Sequence, residues 1–334
     1  MEITFFHWSS HNSPSITRSF EPYINKLKEG NTVYEYRVPY NGANPINVIR
    51  NIYFVYKHKN KYGINHITGD IHYCILGLLS NNSVLTIHDD YAIIKAPNIF
   101  NKIYKWLFWI YLPIKLSKAV VCITQETKNK IEKLIPSASN ISVITQHSVD
   151  NFPYREKTFN KDYPRILQIG TTEQKNLEST LKALHGIPCK LVVIKEMTTK
   201  QLQLAKELNI DFINRYNLSD QEILDEYYLA DIVLFPSLYE GFGMPIIEAQ
   251  ATGRAIITSD LPPMNWVAGN NAALLKTPTN IKEYRNLINK IINDSMYRES
   301  IIEHGLNNVK RFNINNIKEE YMSLYNNIIN NSKK

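Results

Sequence analysis

The chain has 334 residues, of which 44% are hydrophobic and 21% charged, and it carries a net charge of +7. That balance is ordinary for a soluble globular enzyme, and the length exceeds one ordinary domain, so two domains are expected. No run reaches the ~18 apolar residues of a membrane span, and the start, MEITFFHWSS, lacks the charged and apolar regions of a signal peptide. Cys74, Cys122 and Cys189 are scattered and odd in number. This argues against a disulfide frame or a zinc site and for a reducing cytoplasm. The charge is uneven: residues 1–150 hold 16 Lys/Arg against 10 Asp/Glu, and residues 151–334 hold 22 against 21. A basic first half suits an anionic surface, although a solvated basic face explains it equally well.

Taken in order, the first half alternates apolar strand-length runs with helical patterns. Strands are expected at ITFFHW, TVYEYRV, INHIT, SVLTIHD, AVVCIT and ISVIT, and helices near 16–28, 44–56, 99–117 and 125–134. A polar stretch with prolines, Asp150 to Pro164, reads as a linker. The second half continues with strand RILQIG, helix KNLESTLKAL, strand KLVVI, helix TKQLQLAKEL, strand DFINR and helix SDQEILDEYYLA. From Asn280 onward the pattern is helical and polar. Alternating βα units imply α/β domains with parallel sheets.

The densest signal is Leu234 to Asp260, LFPSLYEGFGMPIIEAQATGRAIITSD. It reads as strand, glycine loop, short helix, strand. Gly241 and Gly243 allow a tight turn and close approach of the backbone to a ligand. Pro245 suits the first helical position, and Gly253 suits the C′ stop. Glu240 then lies in the loop and Glu248 about one turn into the helix. Both stand at the carboxyl ends of parallel strands, where open α/β sheets bind ligands. Helix N-terminal amides suit a phosphate, and a carboxylate, which only accepts hydrogen bonds, suits a vicinal diol such as a ribose. Each glutamate alone reads more readily as a solvated surface residue. The apolar shell of Phe242, Met244, Ile246 and Ile247 around both favours a site.

In RILQIGTTEQKNLESTLKAL a strand ends at Gly170 and Lys175 precedes a helix. A lysine there can meet a diphosphate as a mobile point charge. Residues 102–119, KIYKWLFWIYLPIKLSKA, are cationic at both ends and aromatic between. They fit either an interfacial helix or a buried one.

The stretch resembles the family-4 retaining glycosyltransferases (glycosyltransferase group 1), whose second domain carries P-S-x-x-E-G-F-G-x-P-x-x-E-A-x-A-x-G. Pro236, Ser237, Glu240, Gly241, Phe242, Gly243, Pro245, Glu248, Ala249, Ala251 and Gly253 match. The resemblance implies the GT-B architecture, two Rossmann-like β/α/β domains facing across a cleft. It places an acceptor-side domain at 1–152 and a donor-binding domain at 153–314, with the last helix, about 315–332, packing back on the first. It implies that Glu248 holds the donor ribose, that Glu240 approaches the donor sugar, and that amides at Phe242, Gly243 and Met244 contact sugar and phosphates. Gly170, Lys175 and Asn176 match the family's G-x-x-x-x-K-N-L, but its usual arginine is missing. SVLTIHDDYAI resembles the family's T-x-H-D segment, which puts His88 near the donor sugar with Asp89 beside it. The usual Gly-Gly of the N-terminal loop is replaced by Ser9, Ser10, Ser13, Ser15 and Arg18.

The expected function is retaining transfer of a sugar from a UDP- or GDP-sugar to a glycan or lipid-linked acceptor, in bacterial surface polysaccharide synthesis. Glu240, Lys175 and His88 are the candidate catalytic residues. Glu248, Gly241, Phe242, Gly243, Met244, Pro245, Gly170 and Asn176 are the candidate donor contacts. The resemblance implies that no cofactor or metal is required, and the adjacent Asp89 and Asp90, pointing to opposite sides of a strand, would make a poor chelate. The expected location is the cytoplasm at the inner membrane face, with peripheral contact to anionic lipid and no nucleic-acid partner. Two readings stand beside it: another GT-B sugar-nucleotide enzyme, such as an epimerase or phosphorylase, and a non-catalytic nucleotide-sugar-binding protein.

Overall fold

A computed structural model describes residues 1–8, 14–79, 82–89, 98–136, 138 and 140–332, with the side chains of residues 14–19 outside that description. The chain forms two compact units, Met1–Ser148 with Phe312–Lys334, and Val149–Arg311.

In the first unit the strands are β1 (Glu2–His7), β2 (Thr32–Arg37), β3 (Ile64–Ile67), β4 (Asn82–Ile87), β5 (Ala119–Cys122) and β6 (Ile141–Val143). They form one parallel sheet in the order β2-β1-β3-β4-β5-β6. Every residue of β3 and β5 is buried, because helices cover both faces of a parallel sheet. Alternate strand residues feed two cores. Phe6, Ile67, Leu85 and Cys122 pack with Val48 and Val55 of the helix Pro45–His58. Phe5, Val84 and Val121 face the other way, against Tyr23, Tyr321 and Tyr325. The last two tyrosines belong to the helix Ile314–Asn331. Tyr325 is tied in by Tyr23, whose hydroxyl donates to it at 3.1 Å, and by His66 Nδ1 at 2.7 Å.

The segment expected as one helix near 99–117 is broken. It runs as a helix Ile99–Lys105, a π-helical stretch Trp106–Tyr111 and a short helix Leu112–Leu116. The cause is Pro113. It has no N–H for the Trp109 carbonyl four residues earlier, and that carbonyl accepts from His72 Nδ1 at 2.6 Å instead. Trp109, Ile110, Pro113 and Ile114 are buried while Lys102, Ile103, Lys115, Leu116 and Lys118 are exposed, so the segment is core in its middle and open at its ends.

The second unit has β7 (Arg165–Ile169), β8 (Lys190–Ile194), β9 (Phe212–Arg215), β10 (Ile232–Phe235), β11 (Ala255–Ser259) and β12 (Ala273–Leu275). These are again all parallel, in the order β12-β11-β10-β7-β8-β9. Thr198 and Ser219 start their helices with capping boxes, as Thr-x-x-Gln and Ser-x-x-Glu should. The sheet turns outward in both directions from the neighbours β7 and β10. That pair is the topological switch point, where a doubly wound sheet opens its ligand crevice.

Candidate functional site

The loops after β7 and β10 flank the switch point of the second unit, and they are tied to each other. The Leu238 amide donates to the Gln174 carbonyl at 2.8 Å. The Asn176 Nδ2 group donates to the carbonyls of Pro236 at 3.2 Å and Pro278 at 3.0 Å. Across this frame Lys175 Nζ meets Glu240 Oε1 at 2.5 Å, their side chains 20% and 13% exposed. The ammonium also stands 4.6 Å from the centroid of the Phe235 ring, a cation–π contact at the end of β10.

Gly170 explains how the lysine reaches this place. Its φ of +99° is left-handed, and a Cβ there would lie 2.7 Å from Lys175 Cγ and 3.0 Å from Cδ. The lysine stem therefore lies across the bare glycine backbone. The spacing G-x-x-x-x-K is a steric requirement: a left-handed stop at the strand end and no side chain under the cation. Asn176 is also left-handed, at φ 57°. Its two amide protons serve the two carbonyls above, so it is a strut between loops.

The glycine loop enters the helix Met244–Ala251 through Gly243, at φ 104°. A Cβ there would meet Ile246 Cδ1 at 3.0 Å and Phe235 Cε1 at 3.3 Å. Met244 takes the first helical position and Pro245 the second, one residue later than expected. Proline is tolerated there because the first four helical N–H groups have no intrahelical acceptor. Gly253 follows the helix at φ 78°, in the C′ position. Phe242 is buried, while Gly241, Met244 and Glu248 are half-buried. Glu248 Oε2 accepts a 2.5 Å hydrogen bond from the hydroxyl of Tyr227, and burial pushes that phenol well above its usual range. Tyr227 is fixed edge-on against Phe152, centroids 5.6 Å apart. Sequence reading missed Tyr227 and Phe235, whose partnerships with Glu248 and Lys175 are tertiary.

In the first unit His88 follows β4 and is buried. Its Nε2 lies 2.7 Å from the Thr68 carbonyl and its Nδ1 3.4 Å from the Gln146 amide nitrogen. A carbonyl only accepts, so the proton is on Nε2 and Nδ1 is the acceptor. Burial lowers its pKa, and burial lowers His66 and His147 to about 3. His7, at the end of β1, reaches Thr68 Oγ1 at 3.1 Å. Ser9, Ser10, Ser13 and Asp90 lie outside the described residues, as do the side chains of Ser15 and Arg18. The fold brings Gly170, Lys175, Asn176 and Glu240 together in one unit, with Glu248 on the helix that follows, and holds His88 in the other unit.

Residues 150–308 match the family model for glycosyl transferases group 1. The O-antigen chain mannosyltransferase RfbU of Salmonella typhimurium is 26% identical over 271 residues, covering 78% of this chain and 73% of that protein. A glycosyltransferase structure from Rickettsia africae ESF-5 superposes with a TM-score of 0.79 at 20% identity, over 98% of each chain. HepE of Anabaena, solved with UDP, superposes with a TM-score of 0.75 at 14% identity, over 97% of this chain and 99% of that one. At such identities the structural likenesses speak for the fold.

Proposed function

The chain is a group 1 glycosyltransferase of GT-B fold, its family match lying in residues 150–308, and we propose that it carries out retaining sugar transfer. The donor is a nucleotide-diphosphate sugar, and the acceptor a glycan or lipid-linked precursor of a bacterial surface polysaccharide, met at the cytoplasmic face of the membrane. The observation that carries this reading is the Lys175–Glu240 pair across the switch point of the second unit. The pair offers one cation suited to a diphosphate beside one carboxylate suited to a sugar, which supports the reading. The similarity to RfbU supports the surface-polysaccharide assignment. The likeness to HepE solved with UDP supports a nucleoside diphosphate as the product.

In this reading the donor diphosphate takes Lys175 from Glu240. A partly exposed ion pair contributes about 0.2–1 kcal/mol, whereas hydrogen bonds to charged groups contribute about 1.5–3 kcal/mol each. Lys175 and the loop amides at Phe242, Gly243 and Met244 then stabilise the charge growing on the departing diphosphate. Glu240, released from the lysine, faces the sugar and offsets the positive charge developing at the anomeric carbon. Glu248 accepts from the ribose hydroxyls, held in orientation by Tyr227. His88 offers Nδ1 to a donor-sugar hydroxyl in exchange for its 3.4 Å contact with Gln146. No bound metal takes part.

The test is a panel of UDP- and GDP-sugars with a glycolipid acceptor. Release of nucleoside diphosphate and the anomeric configuration of the product are read by NMR. One donor should be turned over with its configuration retained. An inverted product, or a folded protein that binds a donor and turns none over, would reject the reading.

A further inference from the structure

We propose that the outward face of the helix Pro45–His58, continued by the helix Ile99–Lys105, is the surface by which this protein docks on an anionic lipid membrane. The proposal deepens the assignment of a membrane-borne acceptor by naming the docking face. An ordinary surface helix buries one apolar stripe and turns charged residues outward. The helix Pro45–His58 buries Val48, Asn51 and Val55. On the opposite side, at helical spacing, stand Ile46, Ile49, Tyr53 and Tyr56, with Ile49 66% exposed. A second apolar stripe has no use in the core of the unit.

This stripe is interleaved with cations. Arg50 lies over the Tyr40 ring at 5.2 Å, Lys57 over Tyr53 at 5.4 Å, Lys59 over Tyr56 at 4.6 Å and Lys61 over Tyr62 at 5.2 Å. Rings with a polar tip beside lysines on flexible stems suit the headgroup level of a bilayer, where one end is apolar and the other wet. The Tyr104 hydroxyl donates to the Ala43 carbonyl at 3.4 Å, which sets the second helix beside the start of the first. That second helix exposes Ile99, Phe100 and Ile103, with Phe100 at 80%. Charge complementarity selects the occupant. Residues 36–69 contain five Lys/Arg and residues 91–125 five more, and neither stretch contains a single Asp or Glu. A protein partner would need an unusually acidic apolar surface to match, whereas an anionic bilayer supplies both properties.

The experiment is co-sedimentation of the full chain with vesicles of phosphatidylcholine alone, or of equal parts phosphatidylcholine and phosphatidylglycerol. Wild type should pellet with the anionic vesicles at low salt and stay in solution with the neutral ones. The variant Lys57→Glu/Lys59→Glu/Lys61→Glu should lower the bound fraction by roughly tenfold or more. The variant Ile49→Ser/Tyr53→Ser should lose the part that survives high salt, with an unchanged melting curve showing that it is folded. Charge-reversed protein that pellets like wild type would overturn the proposal. So would a concentration-dependent dimer in light scattering that Ile49→Ser/Tyr53→Ser abolishes, since that face would then belong to a second copy. Nucleoside-diphosphate binding, followed by thermal shift on the same variants, separates loss of docking from failure of the donor-site assignment.

Discussion

Lys175 and Glu240, 65 residues apart in sequence, are ion-paired at 2.5 Å over the bare backbone of Gly170. The carboxylate thus occupies the cation that a diphosphate would claim. The two residues should therefore respond oppositely to substitution. Glu240→Gln removes the competitor and should leave nucleoside-diphosphate affinity unchanged or a few-fold tighter, while turnover falls by roughly a hundredfold. Lys175→Ala should weaken the nucleotide and slow turnover together. Calorimetric titration with UDP and GDP beside initial rates checks this, and equal weakening by both variants would contradict the competition.

Glu248 and Tyr227 form the second pair, at 2.5 Å. Glu248→Ala should cost about 1.5–3 kcal/mol of nucleotide affinity, the value of a charged hydrogen bond, with little change in melting temperature. Tyr227→Phe keeps the ring against Phe152 and removes only the donor. A several-fold rise in donor KM with nearly unchanged kcat is expected. Nucleotide affinity unaltered in both folded variants would remove Glu248 from the ribose.

Gly170→Ala tests why the loop is built as it is. A left-handed non-glycine residue costs about 1–2 kcal/mol, and the added methyl displaces the stem of Lys175. The melting temperature should drop modestly, and turnover should drop far more than that stability loss explains. A variant as active as wild type would show that the lysine reaches its place by another route.

The first unit should lose stability in acid. His66 and His147 are lowered to about 3 by burial, from 6.5 when exposed. Between those values the unfolded chain binds protons that the folded one does not. The stabilisation is complete above about pH 6.5 and is lost as pH falls toward 3. Each histidine contributes a slope of about 1.4 kcal/mol per pH unit within that window. Thermal melts from pH 7.5 downward should show the decline, and His66→Gln should flatten part of it. A melting temperature independent of pH down to 4 would contradict the buried neutral rings.

Much of the fold could be read from local chemistry. Apolar strand runs and the Gly243 and Gly253 turns are each decided within a few residues of chain. What escaped the sequence was decided at long range. The break at Trp106–Tyr111 needed both Pro113 and a distant His72, whose Nδ1 donates to the orphaned carbonyl. β12 is only three residues long, too short for a periodicity. The outward stripe of the helix Pro45–His58 was hidden because an apolar pattern does not say which side is buried. At the site, Gly170, Lys175, Glu240 and Glu248 were legible as residue types at set spacings. The direct pairing of two of them, and the parts played by Tyr227 and Phe235, were not.

The most direct test of the central claim is a thermal-shift titration of wild type and Lys175→Ala with UDP, GDP and other nucleoside diphosphates. Ligand that binds only the native state raises its stability by about 2.7 kcal/mol at a hundredfold excess over Kd. One diphosphate should raise the melting temperature of wild type by several degrees and that of the variant far less. No shift with any nucleotide, or an equal shift in both proteins, would contradict a diphosphate site at Lys175.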